Sequence, residues 1–224
     1  LTGESGRAAL RKLSDGASEV YLQIAPGESV ILLARNAASP DGPDWAYRKQ
    51  SGDPVDVTGR WSITFIEGGP RLPEPVEADG LASWTELGGE DTRSFSGTAR
   101  YEVTFRIPET VADDWTLDLG KVCESARVMV NGQPAGVAWC HPFRLPVGRF
   151  LRPGENTLAI EVTNLAANRI ADLDRRGVPW KRFHDINFVN IRYQPFDASK
   201  WEPVPSGLPG PVRLVPMKRL QPGA

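Results

Sequence analysis

Apolar and polar side chains alternate with a period of two from Phe95 onward, and this stretch organises the chain. Ala99, Tyr101, Val103, Phe105 and Ile107 fall on one side, and Arg100, Glu102, Thr104 and Arg106 on the other. A strand with one buried and one solvated face has this pattern. The same period marks Trp61, Ile63 and Phe65 within residues 59–66, then Trp115, Leu117 and Leu119, then Ala126, Val128 and Val130, and later Leu158, Ile160 and Val162. Residues 143–147 read as a short edge strand, 212–216 as the closing strand, and 81–87 as a short strand or turn. Roughly seven to nine short strands with turn signals between them predict an all-β fold, a jelly-roll β-sandwich of two antiparallel sheets.

The turns carry their own chemistry. Asn131-Gly132 suits a tight hairpin turn with positive φ. Pro153-Gly154-Glu155-Asn156 closes a second turn. Gly97 and Gly120 end or bend strands where a side chain would not fit. If the hairpin pairs Val130 with Ala135, Cys123 and Cys140 become near-diagonal neighbours. A disulfide in an oxidising compartment and two buried free thiols are both compatible with that placement.

Ahead of these strands the pattern changes. Residues 8–13 hold at most a short helical turn. Residues 20–25 (VYLQIA) and 29–34 (SVILLA) read as a hairpin joined by Pro26-Gly27-Glu28. Residues 36–56 are dense in Pro, Gly, Asp and Ser and read as a linker. The expected organisation has three parts: 1–57, the tail of a preceding domain with the 20–34 hairpin plus the linker; 58–217, the sandwich; and 218–224, a C-terminal tail. A hairpin this small is not stable alone, so it ends something larger or adds an edge to the sandwich.

Composition narrows the function classes. The 224 residues allow one large or two small domains. Twenty prolines and 22 glycines without a repeat period supply the turns that an all-β chain needs. A formal charge of −2 gives no electrostatic reason to bind nucleic acid or an anionic membrane. No apolar run approaches the roughly 20 residues of a membrane-spanning helix. The chain begins Leu-Thr-Gly and shows no signal peptide, so a fragment of a longer polypeptide is expected.

GRWSITF, SFSGTARYEVTF, LDLGKVCESARVMVNGQPAGVAW, LRPGENTLAIEVTN and PSGLPGPVRLV follow one another in that order. The series resembles the sugar-binding, galactose-binding-like β-sandwich of the glycoside hydrolase family 2 type. It is more closely similar to the C-terminal β-sandwich of the bacterial α-L-rhamnosidases of glycoside hydrolase family 106. VYLQIAPGESVILLA resembles the strand pair that joins that family's earlier domains to this one, so the likeness spans residues 20–217. It implies a non-catalytic domain whose partners are carbohydrate and a catalytic domain of the same polypeptide, with the catalytic acids upstream and a periplasmic or secreted bacterial location.

The long segment after Thr163 holds the candidate chemistry. A core needs no loop of roughly 40 residues here, and long ordered loops often carry function. The segment gathers Asn164, Asn168, Arg169, Asp172, Asp174, Arg175 and Arg176, then Trp180, Phe183, His184, Phe188, Tyr193, Phe196 and Trp201. Sugars are held by aromatic faces against their C–H faces, with amide, carboxylate and guanidinium groups taking the hydroxyls. The resemblance implies that this loop lies towards the catalytic domain and braces or borders its active site. Asn164, Asn168, Arg169, Asp172, Trp180, His184, Tyr193 and Trp201 are therefore carbohydrate-binding or interdomain candidates. The alternative is an aromatic mini-core beneath the loop with its charges solvated.

No catalytic residue is assigned. Glu86, Glu90, Asp91, Asp172, Asp174 and Asp185 are carboxylates that one sequence does not pair at glycosidase spacing. His141 and His184 lack further ligands at metal spacing, and no cofactor motif is present. Asp172-x-Asp174 offers two carboxylates towards a structural calcium, without an EF-hand loop around them. Three readings follow: an accessory sandwich of a larger glycoside hydrolase, an autonomous carbohydrate-binding module using Trp180, Trp201 or Tyr193 as its platform, or a structural interdomain unit.

Overall fold

The computed structural model describes residues 4–34, 42–107, 112–182, 189 and 191–221. Two short strands, β1 (Leu10–Lys12) and β2 (Ser18–Val20), form a ladder of their own. β3 (Tyr47–Gln50), β4 (Val55–Asp56), β5 (Trp61–Gly69) and β6 (Val76–Ala78) follow. Two single-turn helices, α1 (Trp84–Leu87) and α2 (Glu90–Arg93), precede the long β7 (Ser96–Arg106). The chain continues through β8 (Asp114–Asp118), β9 (Lys121–Cys123), β10 (Ser125–Val130), β11 (Gln133–Ala138), β12 (Arg144–Pro146) and β13 (Glu155–Thr163). Helix α3 (Ala167–Arg175) comes next, and β14 (Gly207–Gly210) and β15 (Arg213–Leu220) close the chain.

One antiparallel sheet has the order β11-β10-β13-β7-β5-β6, and the other β12-β8-β15-β3 with β4 also on β15. β7 takes its central place because both its edges are paired along most of its length. Tyr101 lies opposite Ile63 on one side and Ile160 on the other, and all three are fully buried. Leu117, Leu145 and Leu214 bring the second sheet into the same apolar cluster. The Ala99, Tyr101, Val103 and Phe105 face is the buried one, as the alternation predicts.

Two backbone devices shape the sandwich. Asn131 and Gly132 both have positive φ, 51° and 74°, and form the tight turn between β10 and β11. Gly97 faces Gly68 across the β5–β7 pair, where a Cβ would overlap the Glu67 carbonyl oxygen. The strands approach this closely only without a side chain.

Several expectations change. Val130 pairs with Gln133 rather than Ala135, because the turn holds two residues and a bulge follows at Val128/Met129. Cys123 and Cys140 are free thiols, one buried and one exposed, and burial pushes the Cys123 thiol upward. Residues 81–87 contain a helix: Ser83 Oγ accepts the Thr85 N–H, and Trp84 docks into the core. Residues 8–13 contain the strand Leu10–Lys12 rather than a helical turn.

The 20–34 hairpin does not form. Val20 closes β2, the Tyr21 N–H goes to Ala9, and the Gln23 side chain accepts the Arg48 N–H. The first limb is thereby committed elsewhere. Pro26 and Gly27 do make the expected turn, with Glu28 N–H donating to the Ala25 carbonyl. Among the described residues, the backbone of residues 29–34 has no hydrogen-bond partner. The expected linker also contains structure: β3 pairs with β15 and buries Tyr47, whose hydroxyl donates to the Tyr21 carbonyl and accepts the Ala9 N–H. Its one buried apolar residue among charged neighbours is the composition of an edge strand.

Candidate functional site

The 164–207 segment is stitched down at both ends. Asn164 donates from Nδ2 to the Phe95 carbonyl at 3.0 Å and to Ser206 Oγ at 3.1 Å, and its Oδ1 accepts the Gly97 N–H at 2.9 Å. Asn168, in the first turn of α3, is buried. Its Nδ2 donates to the Val204 carbonyl and to Ser206 Oγ, and its Oδ1 accepts the Val204 N–H. Both amides satisfy buried backbone groups, so they are fasteners rather than ligands for hydroxyls. Ser206 N–H in turn donates to Ser83 Oγ, tying the seam to α1.

Helix α3 lies inside the segment that the sequence pattern presents as a long loop. Its buried face is Asn168 and Ala171, and Ala166 at its start provides no side-chain cap. Beside that face Asp172 accepts from Arg169 at 3.2 Å and from Arg176 at 3.3 Å. These are local pairs at helical spacing.

Asp174 gathers the aromatic part. Its Oδ1 accepts the Trp180 indole N–H at 2.7 Å and pairs with Lys181 Nζ at 3.1 Å; its Oδ2 accepts the Ala198 N–H at 2.8 Å. Burial alone would push this carboxyl upward. The Ala198 N–H, the Trp180 indole and the Lys181 ammonium outweigh it and hold Asp174 below the usual carboxylate range. Lys181 Nζ also donates to the Phe196 carbonyl at 2.7 Å and lies over the Trp180 and Phe196 rings at 5.7 and 5.5 Å. Phe196 meets Trp180 and Trp201 edge-on, at 6.0 and 5.5 Å between centroids.

A shallow cleft of about 310 Å³ opens on this cluster, lined by Asp174, Gly177, Val178, Pro179, Trp180, Lys181 and Asp197. Trp180 is half-buried at its wall, Trp201 is 44% exposed, and Tyr193 is 76% exposed with a positive φ of 56°. Of the candidates named from the sequence, Trp180 and Trp201 are brought together, while Asn164, Asn168, Arg169 and Asp172 serve the scaffold. His184 lies outside the described residues, as do Phe183, Asp185 and Phe188. Lys181 and Asp197 also line the cleft and are absent from the candidates read from the sequence, where Asp174 enters only as a carboxylate of the long segment and towards calcium. The signal for Asp174 is its place at the last turn of an unrecognised helix.

The two carboxylates considered for calcium are both engaged, Asp172 by two arginines and Asp174 by three donors. Among the described residues no group of three or more His, Cys, Asp or Glu side chains is placed to hold a metal ion. Nor is any helix among them long and apolar enough to cross a membrane.

No family model matches the chain. A Formosa agariphila protein named "Putative beta-glucuronidase" is 34% identical over 185 residues, which is 74% of this chain and 16% of that protein. The solved rhamnosidase of Novosphingobium sp. PP1Y superposes with a TM-score of 0.66 at 28% identity, over 96% of this chain and 19% of that one. The chain therefore spans less than one fifth of either relative. The rhamnosidase-type sandwich expected from the ordered strand motifs is met by the fold of a rhamnosidase along nearly the whole chain, and this chain is similar to one domain-sized part of a larger glycoside hydrolase.

Proposed function

We propose that this chain is a non-catalytic, carbohydrate-associated β-sandwich of a larger, α-L-rhamnosidase-like glycoside hydrolase. It supports the catalytic domain and borders the substrate site with its 164–207 segment. The observation that carries this reading is the match to 19% of a rhamnosidase by 96% of this chain. The 29–34 limb supports it: an apolar run with unpaired backbone, Ile31 87% exposed, reads as a strand that completes a sheet elsewhere in a longer polypeptide. We assign residues 1–34 to that junction, and place the enzyme in the periplasm or outside the cell, where polymeric carbohydrate is met. The test is hydrolysis of nitrophenyl α-L-rhamnoside and nitrophenyl β-D-glucuronide by the 224-residue chain alone. No nitrophenol release is expected; turnover by this chain overturns the reading.

One observation favours a second reading, an autonomous carbohydrate-binding module: Trp201, which reaches Trp180 of the Asp174 cleft through Phe196, and Tyr193 of the same segment both present exposed aromatic surface. Calorimetric titration with a panel of neutral and acidic oligosaccharides decides it. Saturable heat that is lost on Trp201→Ala supports the module, and flat titrations across the panel remove it.

A further inference from the structure

A second cleft, of about 300 Å³, opens where β8 starts. β8 starts at this cleft with Asp114, runs to Asp118, and leads to Gly120, which abuts Gly210 and Pro211 beside β14. The stitched seam at Ser206 belongs to that far end. The walls here are Arg48, Asp113, Asp114, Gly148, Arg149 and Arg219, with Glu4 and Pro146 at the margin.

The floor is fixed. Arg48 Nε donates to Asp114 Oδ2 at 2.7 Å, with the two side chains 21% and 10% exposed. Asp114 Oδ1 accepts the Trp115 N–H at 2.8 Å. The backbone at Gly148 passes so close to the Asp114 carboxylate that no Cβ fits between them, so a side chain at 148 cannot fill the cleft. Arg48 and Asp114 thus neutralise each other and hold still.

Above the floor, Arg149, Arg219 and Asp113 keep polar atoms without a hydrogen-bond partner among the described residues. Neither the Arg149 nor the Arg219 guanidinium makes a hydrogen bond or ion pair with a described residue; Arg149 lies over the Phe150 ring at 4.6 Å. Asp113 uses Oδ2 to accept the Arg219 backbone N–H at 3.0 Å, and its Oδ1 has no partner among the described residues. Two guanidinium groups without a hydrogen bond or ion pair among the described residues, and a half-used carboxylate, therefore line one small cleft.

The lining decides the ligand class. Its charged walls desolvate poorly against an apolar molecule. Three arginines are matched by three carboxylates, which gives no excess positive charge for a polyanion. A guanidinium fork pairs bidentately with one carboxylate, and aspartate oxygens accept hydroxyl protons. The volume lies at the small end for ligand sites, so one ring is accommodated rather than a chain. We infer that this cleft binds a single carboxylated sugar, a hexuronate, through Arg149 and Arg219 on the carboxylate and Asp113 on the hydroxyls. This site is independent of the accessory-domain reading, and its failure leaves the hydrolysis test above untouched.

The test is NMR titration of the arginine Nε–Hε and backbone signals of the whole 224-residue chain with D-glucuronate, D-galacturonate, D-glucose and acetate. Saturable shifts at Arg149 and Arg219 with at least one uronate are expected, and little response there to glucose or acetate. The exposed double variant Arg149→Ala/Arg219→Ala should weaken uronate binding about 10- to 100-fold, with its melting temperature unchanged. Asp113→Asn should weaken uronate binding while leaving the poor acetate response as it was. No saturable shift with either uronate overturns the inference. An equal response to acetate overturns the sugar assignment, and shifts confined to Trp180 and Lys181 overturn the choice of cleft.

Discussion

Two side chains carry more of this structure than their neighbours in sequence suggest. Tyr101 sits fully buried on β7, and its hydroxyl accepts both the Leu208 N–H and the Trp84 indole N–H. Burial pushes its phenol well above the ordinary tyrosine value, so it stays neutral as a fixed acceptor. Tyr101→Phe should leave two buried donors without a partner and cost about 1–3 kcal/mol in chemical denaturation. Tyr101→Ala or Phe105→Ala should cost about 3–5 kcal/mol, and an unchanged midpoint would contradict their core placement. Asp174 is the second such residue. Its pKa is lowered in the folded state, so its contribution is fully present above the unfolded value near 3.9 and is lost as pH falls through the lowered one. The fluorescence difference between wild type and Trp180→Phe should therefore hold steady down to about pH 4 and change below it. Asp174→Asn, which loses the charge facing Lys181, should show that acid-type difference already at neutral pH.

At the scale of elements, legibility followed from how each segment buries itself. β7 and β13 are long, one-sided strands in the middle of a sheet, so Tyr101 and Ile160 announce themselves through period two. β3 is an edge strand of four residues with only Tyr47 buried, and no alternation can be read from one position. Helix α3 buries an asparagine and an alanine, so its inward face looks polar in sequence. The hairpin at 20–34 reads as one because its two limbs are apolar, but the first limb spends its hydrogen bonds on Ala9 and Arg48. The aromatics of the loop were recognisable by type. Their assembly depends on Asp174 reaching Trp180 and Ala198, partners 6 and 24 residues away, which spacing alone does not reveal. Gly97→Ala tests the close approach of β5 and β7. A Cβ there meets backbone at a φ of 157°, so a loss of at least about 1–3 kcal/mol is expected on denaturation.

For the whole molecule, the balance of covered and uncovered apolar surface is uneven. The sandwich core is closed, while Ile24, Ile31, Leu32 and Leu33 stand exposed on a limb outside it. The isolated chain should bind an apolar dye, and Ile31→Lys/Leu33→Lys should abolish that signal without lowering the melting temperature; dye binding that persists in the variant would locate the uncovered surface elsewhere. The seam at Asn164, Asn168 and Ser206 has a different reach. Because the segment leaves and rejoins the sandwich at one point, held by Asn164 Nδ2 to Ser206 Oγ at 3.1 Å, added length inside it costs the two sheets little closure entropy. Residues between Asn168 and Val204 can lengthen, shorten or change their side chains while the same three residues keep the mouth closed. Such a segment behaves as an exchangeable cassette. Descendants of this chain can rewrite the Asp174 cleft without renegotiating the core, so sequence divergence should concentrate there while the fasteners on either side stay put.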